Sequence, residues 1–79
     1  MLFDFHGPMR VCMWMKHTSI PLTAIFLNDD GQVVARDAMR PETLTMHCSP
    51  GAVRYVLEVR QGYLRNAVIF RIFPKNSGA

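Results

Sequence analysis

The sequence lacks several of the features that mark specialised classes of protein. It has no run of about 18 apolar residues, so we expect no membrane-spanning helix and no membrane partner. Its first residues lack the basic start and long apolar middle of a signal peptide, which makes the cytoplasm the default location. With two cysteines in 79 residues the chain is no disulfide-dense scaffold, and in the cytoplasm both thiols should be reduced.

The chain also has few of the motifs that carry common chemistries. It contains no Gly-rich phosphate loop, and its adjacent carboxylates, Asp29 and Asp30, are explained by a turn. The formal net charge of +3 is spread along the chain without a cluster, so a nucleic-acid partner is not expected. No motif requires a cofactor, and an enzyme is the function class that the sequence favours least.

What the chain does have is a series of short segments with the alternation or apolar content of β-strands. Six segments qualify, over residues 2–5, 9–15, 22–27, 32–39, 53–60 and 67–73. Residues 63–66 allow at most one short helix, and residues 74–79 form a disordered tail. The pattern predicts a single domain over residues 1–73. Its class is α+β, mainly β, with a small antiparallel barrel or roll of five to six short strands.

The clearest local signal is the turn over residues 28–31. Its sequence, Asn-Asp-Asp-Gly, predicts a tight hairpin built on a type I turn with Gly31 in a left-handed bulge position. This loop length pairs residues 24–27 with residues 32–35. The run before the turn, residues 22–27, is almost wholly apolar and should be buried on both faces. His6, Gly7 and Pro8 should end the first strand.

Alternation assigns the faces of two further strands, because successive side chains point to opposite sides. In residues 9–15, one face is purely apolar and the other carries an aromatic ring among basic groups. The first face comprises Met9, Val11, Met13 and Met15, and the second comprises Arg10, Cys12, Trp14 and Lys16. In residues 53–60, the inward set comprises Val53, Tyr55, Leu57 and Val59, and the outward set comprises Arg54, Val56, Glu58 and Arg60.

Residues 14–19 combine an aromatic ring, a cation and hydroxyl groups within a short length of chain. Such a set suits a small polar or anionic ligand, for example a sugar or a carboxylate. Arg54 and the long irregular connection over residues 41–52 could complete the site. The predicted ligand-binding residues are Trp14, Lys16, His17, Thr18, Ser19 and Arg54. In the alternative interpretation, Trp14 lies in the core, and Lys16 and Thr18 only satisfy backbone groups and acidic neighbours.

Cysteine and histidine offer two further candidate sites. One is a zinc site, although the spacing of its ligands differs from that of the usual Cys-x-x-Cys pairs. Its candidate ligands are Cys12, His17, His47 and Cys48. The other places Cys48 or Ser49 as a nucleophile beside His47, but catalysis needs contact in space and an orienting third group. Surface histidines and a buried thiol are the simpler interpretation, so no metal and no catalytic residue is assigned.

One run of the chain resembles a known family signature. Residues 14–22, W-M-K-H-T-S-I-P-L, are similar to the W-M-K-N-T-x-I-P-L-D signature of the family called domain of unknown function 192. Similar motifs occur in the family's order, with M-L-F at Met1, F-x-x-x-x-G-x-V from Phe26, M-x-P from Met39, Y-V-L-E from Tyr55 and G-Y at Gly62. The resemblance covers residues 1–64. It implies a small, mainly β, α+β domain, often exported and without a settled biochemical activity.

The chain also departs from the pattern of that family. His17 stands where the family has Asn, Thr23 where it has Asp, and residues 67–73 replace a basic loop and a Gly-Asp pair. Family members begin with a further strand and a Gly-Leu-Met-x-Arg segment, so the chain resembles a shortened member. A missing strand would expose an unpaired edge, which predicts a homodimer or higher homo-oligomer. We therefore expect a binding module, with a self-assembling protein as the alternative and a zinc-dependent or Cys/His enzyme as the second alternative.

Overall fold

The computed structural model describes residues 1–62, and every regular element among them is a β-strand. The strands are β1 (Leu2–Met9), β2 (Cys12–Met13), β3 (Leu22–Leu27), β4 (Val33–Met39), β5 (His47–Cys48) and β6 (Val53–Arg60). All pairings are antiparallel, which confirms the predicted small, mainly β fold. The predicted helical turn at 63–66, strand at 67–73, domain limit at 73 and tail at 74–79 lie outside the described residues. No helix within residues 1–62 is long and apolar enough to cross a membrane.

Strand β3 lies inside a four-stranded sheet of order β1-β6-β3-β4, and β2 and β5 form a separate two-stranded ribbon. Four consecutive residues of β3, from Ala24 to Leu27, are buried. Since successive side chains of a strand point to opposite faces, a continuous buried run requires cover on both sides. The prediction that this apolar strand is buried on both faces is therefore confirmed.

The main core lies between one face of the four-stranded sheet and the β2–β5 ribbon. A row of directly opposed residues crosses this face, with Phe3 on β1, Val56 on β6, Phe26 on β3 and Ala35 on β4. Val11, Met13 and Met15 pack against this cluster from the ribbon and its flanks. Each fully buried side chain of this kind contributes about 1.5–3 kcal/mol to folding, so the ribbon is held mainly by its apolar inner side.

The faces of β6 differ from those predicted. Val56 was expected to point outward, but it is fully buried beside Phe26 and belongs to the core. Val53 belongs to the same core although it is three residues from Val56. Valines occupy both the odd and the even positions of β6, so its apolar pattern fits either face, and contact with β3 decides between them.

The hairpin between β3 and β4 forms as predicted. Gly31 donates its backbone N–H to the Asn28 carbonyl at 3.0 Å, and the Asn28 amide side chain accepts from Asp30 and Gln32. Gly31 has a φ of 78°, in the left-handed region that favours glycine. Phe26 pairs with Ala35 and Leu27 with Val33, so the antiparallel pairing of β3 with β4 is confirmed. The predicted register is wrong, since Ala24 lies opposite Asp37 rather than Ala35, and an irregularity between Phe26 and Leu27 shifts the pairing.

The first two predicted strands have different limits from those expected. Strand β1 continues through His6, Gly7 and Pro8 to Met9, and these residues form an irregularity rather than an end, with His6 at a φ of 63°. The predicted strand over residues 9–15 contracts to Cys12 and Met13. Its faces are largely as predicted, because Val11 and Met15 are buried and Cys12, Trp14 and Lys16 are exposed. Met9 is the exception, since it is exposed.

Candidate functional site

The loop over residues 14–19, which we call the signature loop, is hydrogen-bonded to the turn over residues 40–43. Met15 donates its backbone N–H to the Thr43 carbonyl at 3.2 Å, and Glu42 donates to the Thr18 carbonyl at 2.9 Å. Within the loop, Thr18 donates back to the Met15 carbonyl at 3.0 Å. The structure therefore places the signature loop against the connection that was expected to complete a site with it.

Two residues at this contact adopt left-handed backbone conformations. His17 has a φ of 61° and Glu42 a φ of 62°. Glu42 is the donor of the hydrogen bond to the Thr18 carbonyl, and His17 directly precedes its acceptor. For a residue with a Cβ this conformation costs about 1–2 kcal/mol, and such residues are concentrated at functional sites. The surrounding hydrogen bonds hold this strained pair in place, which makes the loop and turn a candidate site.

The outward side of the loop presents an aromatic ring beside a cation. The Trp14 side chain is 49% exposed, and the Lys16 ammonium lies 5.4 Å from the centre of its ring, within the range of a cation–π contact. The interpretation that Trp14 lies in the core is therefore wrong. Thr18 is half-buried, and His17 and Ser19 are exposed.

A surface cavity of about 300 Å³ lies next to this loop, at the end of β4 and the start of β5. Its walls are formed by Ala38, Arg40, Thr43, Thr45 and His47, and we call it the Arg40 cavity. None of residues 14–19 is among these lining residues, but Thr43 bonds directly to Met15. Its volume is at the lower end of the range for ligand pockets, about 300–1,000 Å³.

His47, which lines the Arg40 cavity, is oriented by the carboxylate of Asp37. His47 Nδ1 lies 2.7 Å from Asp37 Oδ2, and the His47 side chain is only 13% exposed. Because a carboxylate can only accept, the proton of this hydrogen bond is on Nδ1, and in that tautomer Nε2 is an acceptor. Nε2 is buried and has no hydrogen-bond partner among residues 1–62.

Sequence reasoning singled out His47 only as a metal ligand or a base, and it missed Asp37. The signal was present in β4, where Asp37 occupies the same face as Ala35 and Met39. A charged residue at a position facing the core is unusual and predicts a polar partner. The partner could not be named, since it comes from β5 across a loop.

Arg54 is held away from the predicted loop. Its Nε lies 3.1 Å from Asp4 Oδ1 and its Nη1 lies 3.2 Å from Asp29 Oδ1. Arg54 precedes Tyr55, which pairs with Leu27, whereas the signature loop enters β3 at Leu22. These positions are opposite ends of β3, about 17 Å apart at 3.3 Å per residue. In this structure Arg54 therefore does not lie with the other five predicted ligand-binding residues.

The Arg54 ion pairs shift the pKa values of Arg54 and Asp4 in opposite directions. The hydrogen bond from Arg54, followed by that from the His6 backbone, lowers the pKa of Asp4 from its ordinary value of 3.8. The hydrogen bonds to Asp4 and then to Asp29 raise the pKa of Arg54. This cluster joins β1, the hairpin turn and β6, so we assign it to the stability of the sheet.

The two cysteines form a disulfide, so the prediction of reduced thiols is wrong. Cys12 on β2 lies directly opposite Cys48 on β5, and their sulfur atoms are bonded. The physical reason is pairing across the ribbon, which brings together two residues that are 36 apart in sequence. Neither sulfur is free to bind zinc or to attack a substrate. Within the described residues no three His, Cys, Asp or Glu side chains are grouped as a metal site would require.

The Ser49 hydroxyl is also occupied by structural hydrogen bonds. It is buried, its hydroxyl accepts the Val11 N–H at 3.0 Å, and it donates to the Gly51 carbonyl at 2.6 Å. The His47 ring nitrogen that forms a hydrogen bond does so with Asp37. The interpretation of Ser49 as a nucleophile activated by His47 is therefore not supported by these contacts.

Comparison with known proteins places the chain in a family. The sequence profile of domain of unknown function 192 (DUF192), described as an uncharacterised ACR, matches residues 1–70. No functionally curated protein matches the chain. The motifs on which the resemblance rested, above all residues 14–22, lie within the matched range.

Two solved structures are similar to the chain. A protein from Sinorhizobium meliloti, provisionally described as a transcription regulator, is 33% identical with a TM-score of 0.82, over 90% of this chain and 56% of its own. A protein of unknown function from Novosphingobium aromaticivorans is 30% identical with a TM-score of 0.76, over 82% and 47%. The chain thus spans about half the length of each structure. With most of its length matched by the family profile, the chain belongs to the family of domain of unknown function 192.

Proposed function

We propose that this domain binds a small anionic ligand in the Arg40 cavity, beside the signature loop. The observation that carries the proposal is Arg40, which lines the cavity and has no ion pair among residues 1–62. A guanidinium presents donors in a planar fork that fits a carboxylate through two parallel hydrogen bonds. An anion that entered the cavity would thus find a cation not already neutralised by a described neighbour.

Two further polar groups of the cavity support a ligand with both a carboxylate and a hydroxyl group. The Thr45 hydroxyl has no hydrogen bond within the described residues, and neither does the buried Nε2 of His47. Since buried polar atoms are nearly always paired, an unpaired Nε2 invites a donor. A hydroxy carboxylate would supply a carboxylate to Arg40. His47 Nε2 is closed to solvent in this structure, so the ligand would uncover it on entering and then donate a hydroxyl hydrogen to it.

The signature loop forms the neighbouring surface in this proposal. Trp14 and Lys16 offer an exposed ring and a cation, and the bond from Met15 to Thr43 fixes the loop against one wall of the cavity. An aromatic face covers the apolar side of a small ligand while polar groups set its orientation. Thr18 contributes by holding this loop in place through its backbone hydrogen bonds to Met15 and Glu42.

The test is calorimetric titration of the full chain with lactate and with propionate, which differ by one hydroxyl group. We expect lactate to bind and propionate to bind more weakly, because propionate leaves His47 Nε2 unpaired. Arg40→Gln should weaken lactate binding by about tenfold or more, which corresponds to about 1.4 kcal/mol. Arg10→Gln removes the same charge from an exposed residue outside the cavity and should leave binding unchanged.

The proposal is contradicted if neither acid binds at low ionic strength, or if Arg10→Gln and Arg40→Gln weaken binding equally. The second result would indicate attraction by net charge rather than a site. Thermal unfolding of each variant must first show that Arg40→Gln still folds.

Self-association is a second candidate role, and it rests on the sheet edges. Within the described residues, β1 and β4 are the outer strands of the sheet, and Leu2, Met9 and Val34 on them are exposed. We propose that an edge strand pairs with the same strand of a second copy, since unpaired edges favour such contacts. Sedimentation at concentrations on the order of tens of micromolar should show a dimer or higher homo-oligomer. A stable monomer would contradict this role.

A further inference from the structure

The Cys12–Cys48 disulfide links the two strands of the β2–β5 ribbon covalently. Each strand of the ribbon has only two residues, and the bonded cysteines face each other directly across it. Such a short ladder has few backbone hydrogen bonds of its own. The apolar side chains that pack the ribbon on the core come from β2 and its flanks, so the position of β5 depends on the disulfide, on the contacts of Ser49 with Val11 and on the contact of His47 with Asp37.

The two cysteines of the disulfide differ in exposure. Cys12 is exposed, whereas Cys48 is half-buried. The neighbours on the outward side are also accessible, because Trp14 is 49% and Met46 is 53% exposed. A thiolate can attack a disulfide only at a sulfur atom that it can reach in line with the bond, and this difference favours attack at Cys12.

We propose that the Cys12–Cys48 disulfide is a thiol-exchange site for low-molecular-weight thiols. An external thiolate forms a bond to the Cys12 sulfur, the bond between Cys12 and Cys48 breaks, and the electron pair leaves as the Cys48 thiolate. A second external thiolate then attacks the mixed disulfide at the sulfur atom of the first external thiol. This releases a disulfide of the two external thiols and the Cys12 thiolate. Two external thiols are oxidised and one protein disulfide is reduced, and protons taken up from water complete the two protein thiols.

Exchange at this site changes the wall of the Arg40 cavity. His47 adjoins Cys48 on β5, and residues 43–47 supply three of the five residues that line the cavity. Loss of the disulfide leaves β5 attached through the Asp37 contact and through Ser49. The reduced protein should therefore keep its four-stranded sheet while β2, β5 and the residues between Thr43 and Ser49 become less ordered.

A disulfide that exchanges with small thiols behaves differently from one that is purely structural. In reducing compartments disulfides are rare, and those that occur are usually transient or redox-sensing. A structural disulfide of an exported protein would instead resist reduction by small thiols. The rate and position of exchange in the folded protein distinguish these two roles.

The test uses the oxidised full chain with reduced glutathione as the probe. Samples are quenched with acid, free thiols are alkylated, and the glutathione adduct is located by peptide mass spectrometry. We expect the adduct on Cys12 and a rate that rises linearly with glutathione, within about tenfold of the rate in denaturant. An adduct chiefly on Cys48, or reduction that proceeds only at the rate of global unfolding, would overturn the proposal.

A second measurement tests the structural consequence without any variant. Amide spectra of the oxidised and reduced protein are compared residue by residue. We expect resonances of residues 11–15 and 43–49 to move or broaden and those of β3 to stay in place. Unchanged ribbon resonances, or the loss of the β3 resonances as well, would contradict a local release of the ribbon. Trp14, two residues from Cys12, supplies a fluorescence signal for the kinetics.

Discussion

At the scale of single residues, His17 shows how a departure from the family pattern is accommodated. The family has Asn at this position, and the structure places His17 in a left-handed conformation with a φ of 61°. Asn, Asp and His occur in this region several times more often than other residues with a Cβ. The exchange of Asn for His therefore preserves the backbone shape of the signature loop. The sequence alone could not show this, because a dihedral angle is not visible in a pattern of apolar and polar residues.

We predict that His17→Asn keeps or slightly raises stability and that His17→Val lowers it by about 1–2 kcal/mol. Valine is branched at Cβ and disfavours the left-handed region, whereas Asn tolerates it. Denaturant unfolding of the two variants measures the difference. Ser19→Val, in the same loop but without a positive φ, is the control and should change stability by less than about 0.5 kcal/mol. Equal losses for both valine variants would show that His17 is not strained.

At the scale of elements, the hairpin and β3 could be predicted because their signals are local. An Asn-Asp-Asp-Gly turn sets the place of the hairpin, and an unbroken apolar run marks a strand buried on both faces. The register of β3 against β4 was not predicted correctly, because the irregularity between Phe26 and Leu27 has no local signal. The β2–β5 ribbon could not be predicted. Its partners are 36 residues apart, and His47 and Cys48 lie in a stretch rich in Pro, Ser and Thr. Pairing across such a loop depends on contacts that no local pattern records.

The attachment of the ribbon to the core gives a prediction for Ser49. We expect Ser49→Ala to lower stability by about 1–3 kcal/mol, because it leaves the buried Val11 N–H without its hydroxyl acceptor. Ser19→Ala, at an exposed serine, is the matched control and should be close to neutral. Denaturant unfolding compares the two. If Ser49→Ala is as mild as the control, the hydroxyl does not anchor β5 in the way described.

At the scale of the whole molecule, the candidate site is a product of packing between distant segments. Thr43 meets Met15, and His47 meets Asp37, although neither pair is adjacent in sequence. The loop over residues 14–19 and the connection over 41–52 were expected to form a site together, and they are joined by hydrogen bonds, while their role in binding stays a prediction. Arg40 and Asp37 were missed because their importance lies in what β5 brings to them. The prediction that Arg54 lies with this cluster is wrong in this structure. Arg54 forms ion pairs with Asp4 and Asp29 at the opposite end of β3.

The pH dependence of global stability follows from two carboxyl groups. The pKa of Asp4 is lowered by its hydrogen bond to Arg54, so its stabilisation is complete above its ordinary value of 3.8 and is lost as the pH falls through the folded value. Burial raises the pKa of Glu58 above 4.5, so the ionised group opposes folding at neutral pH and this cost disappears as the group is protonated.

We therefore predict opposite effects for two isosteric variants in denaturant unfolding across pH. At about pH 7, Asp4→Asn should be less stable than the wild type and Glu58→Gln more stable. Both differences should shrink as the pH falls. The Glu58 difference shrinks as its carboxyl group is protonated through its raised pKa. The Asp4 difference begins to shrink near 3.8, where the unfolded chain takes up the proton, and is lost only below the lowered pKa of the folded protein. A gain for Glu58→Gln that persists at low pH would show that its charge is not the cause.

The measurement that tests the proposed site most directly is the nitrogen resonance of His47 Nε2 during titration with lactate. This atom is buried and unpaired among residues 1–62, and its residue lines the cavity together with Arg40. We predict a saturable shift with lactate, little shift with propionate, and loss of the lactate response in Arg40→Gln. No shift with lactate while His47 remains bonded to Asp37, or equal shifts with both acids, would contradict a hydroxy-carboxylate site in this cavity.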